Sequence, residues 1–174
     1  MKVLKTAALT VIVIAAVVVL ALEPASGASA DKNVASCHDV FAGHADARWR
    51  SESSVAGPVG VSRWPLRQMS SMANGDLVAE VPLLVEGHSP VTVTVPAALR
   101  ERVFLYYGRD PSGKTISFAA SQGFGSIEFR PCEDRPRTIW PGGIRVRGNG
   151  SVHLVVEAEG KATTLRLGKP QINH

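Results

Sequence analysis

The sequence predicts an all-β fold, an antiparallel β-sandwich with Greek-key connections, and three observations carry that prediction. Short apolar segments recur at close, regular spacing from residue 55 to residue 167. Tight-turn chemistry punctuates them, above all Asn74-Gly75-Asp76 and Asn149-Gly150-Ser151. No long stretch carries 3.6-residue periodicity. Eight or nine short strands follow from this pattern.

Residues 55–62 are apolar but broken by Gly57-Pro58, which suits an edge strand. Asn74-Gly75-Asp76 leads into a segment at 77–86. Val91-Thr92-Val93-Thr94-Val95 alternates strictly, so three valines share one face and two threonines the other. Pro96–Glu101 has room for one helical turn. Further strands are expected at 102–107, 115–119 and 126–130, then at 144–147, where Ile and Val alternate with Arg. The last hairpin runs from 152–158 through Glu159-Gly160-Lys161 into 163–167.

Residues 1–30 read differently. Lys2 and Lys5 precede a mostly apolar run of 17 residues from Thr6 to Leu22, and Ala28-Ser29-Ala30 follows. A basic start, an apolar centre and a small-residue site are the parts of a secretory signal peptide. The run also approaches the ~20 residues of a membrane span, so an uncleaved anchor is the alternative. Either way the basic end stays inside and the domain lies outside the cytoplasm, secreted or anchored. The expected organisation is therefore 1–30 signal or anchor, 31–54 an N-terminal arm, and 55–174 the β domain. Val34-Ala35-Ser36-Cys37 resembles a lipoprotein box, but Asp31, Lys32 and Asn33 separate it from the apolar run.

Cys37 and Cys132 are the only cysteines, and in an exported chain such a pair is expected to form a disulfide. The formal charge is +4; setting aside Lys2, Lys5 and Glu23 leaves 17 basic and 14 acidic residues. That mild excess suits anionic envelope polymers or lipid headgroups. No dense basic stripe points to nucleic acid.

Several motifs suggest chemistry. Gly108-Arg109-Asp110-Pro111-Ser112-Gly113-Lys114-Thr115 matches the P-loop pattern, but a β segment with glycines follows it instead of the helix that would hold phosphates. Asp110-Pro111-Ser112-Gly113 reads better as a type I turn. Cys37, His38, Asp39, His44 and Asp46 are metal-ligand types, yet the disulfide would consume Cys37 and leave too few ligands for a closed site. His88 lies in a Gly-His-Ser-Pro turn and reads as solvated. No serine sits in a Gly-x-Ser-x-Gly elbow, and Glu157 and Glu159 read as solvent-facing. No catalytic residue and no cofactor are expected.

The tryptophans remain. Trp49 lies between Arg48 and Arg50, Trp64 beside Arg63, and Trp140 opens Trp-Pro-Gly-Gly. A Trp beside Arg can serve as a platform for a sugar, a headgroup or a protein, or it can cap the core. Capping is the reading for Trp140, and both stay open for Trp49 and Trp64. Arg48, Trp49, Arg50, Arg63 and Trp64 are thus the candidate partner-binding residues.

Phe129-Arg130-Pro131-Cys132, Thr138-Ile139-Trp140-Pro141-Gly142-Gly143 and Leu165-Arg166-Leu167-Gly168 together form a pattern. It resembles a group of exported actinobacterial proteins with F-x-x-C … T-x-W-P-G-G … L-x-L-G. The resemblance implies the compartment and the β fold, and supplies no mechanism. Such proteins often carry a second cysteine pair, where this chain has Ser151-Val152-His153 and Lys169-Pro170-Gln171. The function expected is that of an exported, non-catalytic module binding an envelope polymer, a lipid headgroup or a partner protein, with an anchored structural ectodomain as the alternative. An envelope hydrolase or metal-handling protein would need a pocket built from residues distant in sequence.

Overall fold

The computed structural model describes residues 33–40, 48–63, 69–108 and 123–170. The 1–30 segment, Trp64, most of the P-loop match and the expected strand at 115–119 lie outside them. The described residues form an all-β structure with one short helix, α1 (Trp49–Glu52), and two single 3₁₀ turns.

The strands are more numerous than the eight or nine expected: thirteen among the described residues, in three sheets. One sheet has the order β1 (Asn33–Ala35), β9 (Ser126–Phe129), β7 (Val91–Thr94), β12 (Val152–Ala158), β13 (Lys161–Gly168). The second runs β10 (Arg137–Trp140), β6 (Leu83–Glu86), β3 (Val59–Ser62), β2 (Ser53–Ala56). The third runs β4 (Ser70–Ser71), β5 (Leu77–Glu80), β11 (Gly142–Val146), β8 (Val103–Tyr107). All pairings are antiparallel except that of β1 with β9.

Two differences from expectation have the same physical origin, proline and glycine chemistry. Residues 55–62 are not one edge strand. Gly57, at φ 56°, and Pro58 make a two-residue turn that folds them into the β2–β3 hairpin, with Ala56 opposite Val59. Residues 77–86, in turn, are two strands. Leu83 faces Trp140 and Glu80 faces Gly143, so register is kept across the break while Pro82 and Pro141 stand opposite each other. Neither proline has an N–H to give the ladder, and only the Val81 N–H to Gly142 carbonyl bond (2.9 Å) spans the gap. The ribbon therefore continues from one sheet into the next.

Alternation fills one core from all three sheets. Val91, Val93, Val152, Leu154 and Val156 point inward, as do Val59, Val61, Leu83 and Val85. Thr92 and Thr94 take the opposite face of β7, as the period-2 pattern requires. β8 is buried on both faces. Val103, Leu105 and Tyr107 enter the core, whereas Phe104 and Tyr106 face away, against Arg145. The Arg145 guanidinium lies 4.8 Å from the Phe104 ring centre, and its Nε is 3.5 Å from the buried Asp76 carboxylate. Arg147 reaches the other Asp76 oxygen, also at 3.5 Å. Gly123 closes over this layer: a Cβ there would sit 2.7 Å from the Tyr106 ring.

The Cys37–Cys132 disulfide is present, across a sequence separation of 95. Around it the T-x-W-P-G-G letters acquire structural reasons. The Thr138 hydroxyl accepts from the Cys132 N–H (3.0 Å, buried). The Trp140 indole N–H donates to the Ser36 carbonyl (2.9 Å), and its ring packs edge-on against Phe129 at 5.1 Å. Gly142 has φ +153°, and a Cβ there would lie 2.2 Å from the Tyr106 carbonyl oxygen. The start of β12 and the end of β13, where the resemblance placed a second bridge, do face each other, Val152 opposite Gly168.

Two outcomes test this account. Replacing both cysteines by alanine lowers unfolding free energy in urea by about 2–5 kcal/mol, because the unfolded chain regains a long loop's freedom. Gly142→Ala costs more than about 2 kcal/mol in the same assay, since backbone strain and a clash with backbone coincide there.

Candidate binding cleft

Three turns meet at one end of the domain: Gly57-Pro58 between β2 and β3, Gly87-His88-Ser89 between β6 and β7, and Glu159-Gly160 between β12 and β13. Between them lies a cleft of about 280 Å³, walled also by Glu86, Ala158, Lys161 and Thr163. Both residues of the last turn have positive φ (51° and 74°), with Ala158 paired to Lys161. That is the two-residue I′ geometry whose twist matches its strands, so Glu159 is held by the hairpin itself.

Glu86 organises one wall. Its carboxylate accepts from Arg50 Nε (3.1 Å) and Arg50 Nη2, and from Arg137 Nε at 3.4 Å. The Arg50 hydrogen bonds hold the Glu86 carboxyl below its ordinary value; slight burial opposes them, and Arg137 adds to the lowering. Arg50 in turn lies 4.8 Å over the Trp49 ring. Trp49 is only 6% exposed. Its ring occupies the space above Gly60, where a Cβ would come within 2.2 Å of it. Packing, not an open platform, describes Trp49.

The opposite wall is polar. Ser89 Oγ donates to Glu159 Oε1 (3.3 Å), and Thr163 Oγ1 to the Val156 carbonyl (3.4 Å). His88 Nδ1 is 3.2 Å from the Cys132 carbonyl oxygen. A carbonyl only accepts, so Nδ1 carries the proton and the neutral ring keeps its lone pair on Nε2. Among the described residues no hydrogen bond joins His88 to Ser89.

Of the candidate residues read from sequence, Arg50 reaches this wall. Arg48 and Arg63 are exposed; the Arg48 carbonyl accepts from Ser51, and the Arg63 N–H donates to the Glu52 carbonyl (3.1 Å). Trp64 lies outside the described residues. His88, Ser89, Glu159, Lys161 and Thr163 carry no motif, and only the convergence of three turns brings them together.

Two metal-ligand types of the arm, Asp39 and Cys37, have other partners. The Asp39 carboxylate accepts from the Ser36 N–H (2.9 Å) and Oγ (3.0 Å), capping a 3₁₀ turn. The Cys37 and Cys132 sulfurs lie within 4.8 Å of an Asp134 oxygen, but they are bonded to each other, and Asp134 is paired with Arg135. His44 and Asp46 lie outside the described residues.

No family model matches the sequence, and no curated protein or solved structure matches it either.

The Glu86 pairing has a pH signature. Because its folded pKa is lowered, its stabilising contribution is complete above the ordinary value of 4.5 and is lost as pH falls through the lowered folded value. Urea midpoints of wild type and Glu86→Gln therefore converge on acidification below about pH 4.5, and high salt narrows the gap at neutral pH.

Proposed function

We propose that this chain is an exported, non-catalytic binding module that engages an envelope component or partner protein through the three-turn end carrying the cleft. The observation that carries the reading is the cleft itself: turns project from a rigid β framework and present carboxylate, hydroxyl, imidazole and ammonium groups together. The disulfide supports an oxidising, extracytoplasmic setting. The fold within this reading is a Greek-key sandwich of residues 55–174 with 31–54 as its arm. The unbroken register through Pro82 and Pro141, which joins two of the three sheets into one layer, supports it.

Binding is favoured over catalysis because the polar groups are tied separately. Ser89 bonds to Glu159 and His88 to a backbone carbonyl, so no relay activates the hydroxyl. Lys161 and the two arginines on Glu86 make the rim slightly cationic, which suits a polar ligand with anionic groups.

Co-sedimentation with wall and membrane fractions of an actinobacterial host tests the reading. Wild-type protein is retained, and Lys161→Ala, at an exposed position, lowers retention at least fivefold without altering thermal unfolding. Retention unchanged in the variant removes the cleft from the reading, and no retention of wild type removes envelope binding.

A further inference from the structure

Charge is unevenly divided between the two ends of the five-stranded sheet. The cleft end holds Glu86 and Glu159, and its Arg50 and Arg137 are both bonded to Glu86. At the opposite end Val152 pairs with Gly168, and the Val95 N–H donates to the Gly125 carbonyl (2.8 Å). Two connections cross there. Residues 96–102 carry the chain from β7 to β8, and residues 147–151 carry it from β11 to β12. The Arg147 N–H donates to the Arg102 carbonyl (2.7 Å), and Arg102 Nε donates back to the Arg147 carbonyl (3.2 Å).

This end carries Arg100, Arg102, Arg147, Arg166 and Lys169 against Glu101 and Asp76. Asp76 is buried and already faces Arg145 and Arg147. Among the described residues Arg100, Arg102, Arg166 and Lys169 make no ion pair. Arg100, Arg166 and Lys169 are exposed. The Arg102 guanidinium lies against Gly150, where a Cβ would come within 2.3 Å of it. Beside this turn a bulge breaks the β12–β13 ladder. Val152 pairs with Gly168 and His153 with Arg166, which leaves Leu167 as the extra residue. Ser151, His153, Thr164, Arg166 and Gly168 there line a hollow of about 510 Å³, and no carboxylate lines it. Hydroxyls, an imidazole and a guanidinium are a donor set suited to phosphate oxygens.

We propose that this end of the domain docks on an anionic lipid surface, with a phosphate headgroup in the hollow beside Arg166 and the cleft facing away from the bilayer. Clustered cations without carboxylate partners supply the attraction. The entry point of the chain selects a bilayer over a soluble anion. β1 starts at Asn33, opposite Ile127, and runs parallel to β9. The chain thus enters the sheet at this end and runs toward Cys37, whose disulfide partner Cys132 holds His88 at the cleft. Ten residues separate Asn33 from the apolar run Thr6–Leu22, a reach of at most about 40 Å. An anchor in that run keeps this end nearest the membrane. In a cleaved chain the cations hold it there unaided.

Lysine acylation tests the orientation, because the lysines of the described residues sit at opposite ends. Lys161 lines the cleft, and Lys169 follows Gly168. The whole exported chain, as the host processes it, is mixed with vesicles of phosphatidylcholine alone or with about one-third phosphatidylglycerol. A water-soluble acylating reagent is added, and each lysine is read by peptide mass spectrometry. Phosphatidylglycerol slows acylation of Lys169 at least about fivefold and leaves Lys161 unchanged, and high salt reverses the protection. Arg166→Gln, at an exposed position, raises the lipid concentration for half-protection about fivefold without changing thermal unfolding. Lys169 left unprotected, Lys161 protected in its place, or equal protection by phosphatidylcholine overturns the proposal. Equal protection by inorganic phosphate at the same ionic strength also overturns it, and makes the hollow a site for a free anion. Whether the cleft binds a ligand alters none of these readings of Lys169.

Discussion

The structure hangs on Cys132. Its sulfur holds Cys37, its N–H donates to Thr138, and its carbonyl accepts from His88. One residue thereby ties the arm to β10 and sets a wall of the cleft. Trp140 reinforces the tie by donating its indole N–H to Ser36, one residue before Cys37. Trp140 is fully buried, so that donor would otherwise be stranded away from water, at about 1–3 kcal/mol. The start of the arm buries little: among residues 33–40 Ala35 is the fully buried apolar side chain, with Val40 partly buried. Hydrophobic burial is too small to hold it, and a covalent bond with directed hydrogen bonds does so instead.

The cues legible in sequence were the local ones. Period-2 alternation placed Val91 and Val93 inside and Thr92 and Thr94 outside, and a lone cysteine pair gave the disulfide. What escaped was set between segments. Pro82 and Pro141 are 59 residues apart by number, and only strand pairing makes them opposite. Arg145 alternates with Ile144 and Val146 as a solvent-facing residue would, yet it is buried, because Phe104 and Tyr106 bring a second apolar layer to that face. Composition hints at this: five consecutive large apolar residues, Val103 to Tyr107, are too many for a strand wet on one side.

The Trp–Arg neighbours show the same division. Arg48-Trp49-Arg50 left an exposed platform and a core cap both open, and the ring is spent filling the gap left by Gly60. Arg50 still matters at the surface because Trp49 fixes it from below while Glu86 fixes it from the side. Exposed ion pairs of this kind contribute at most about 1 kcal/mol to stability. Their consequence is positional: a guanidinium locked before a ligand arrives loses less freedom when one does.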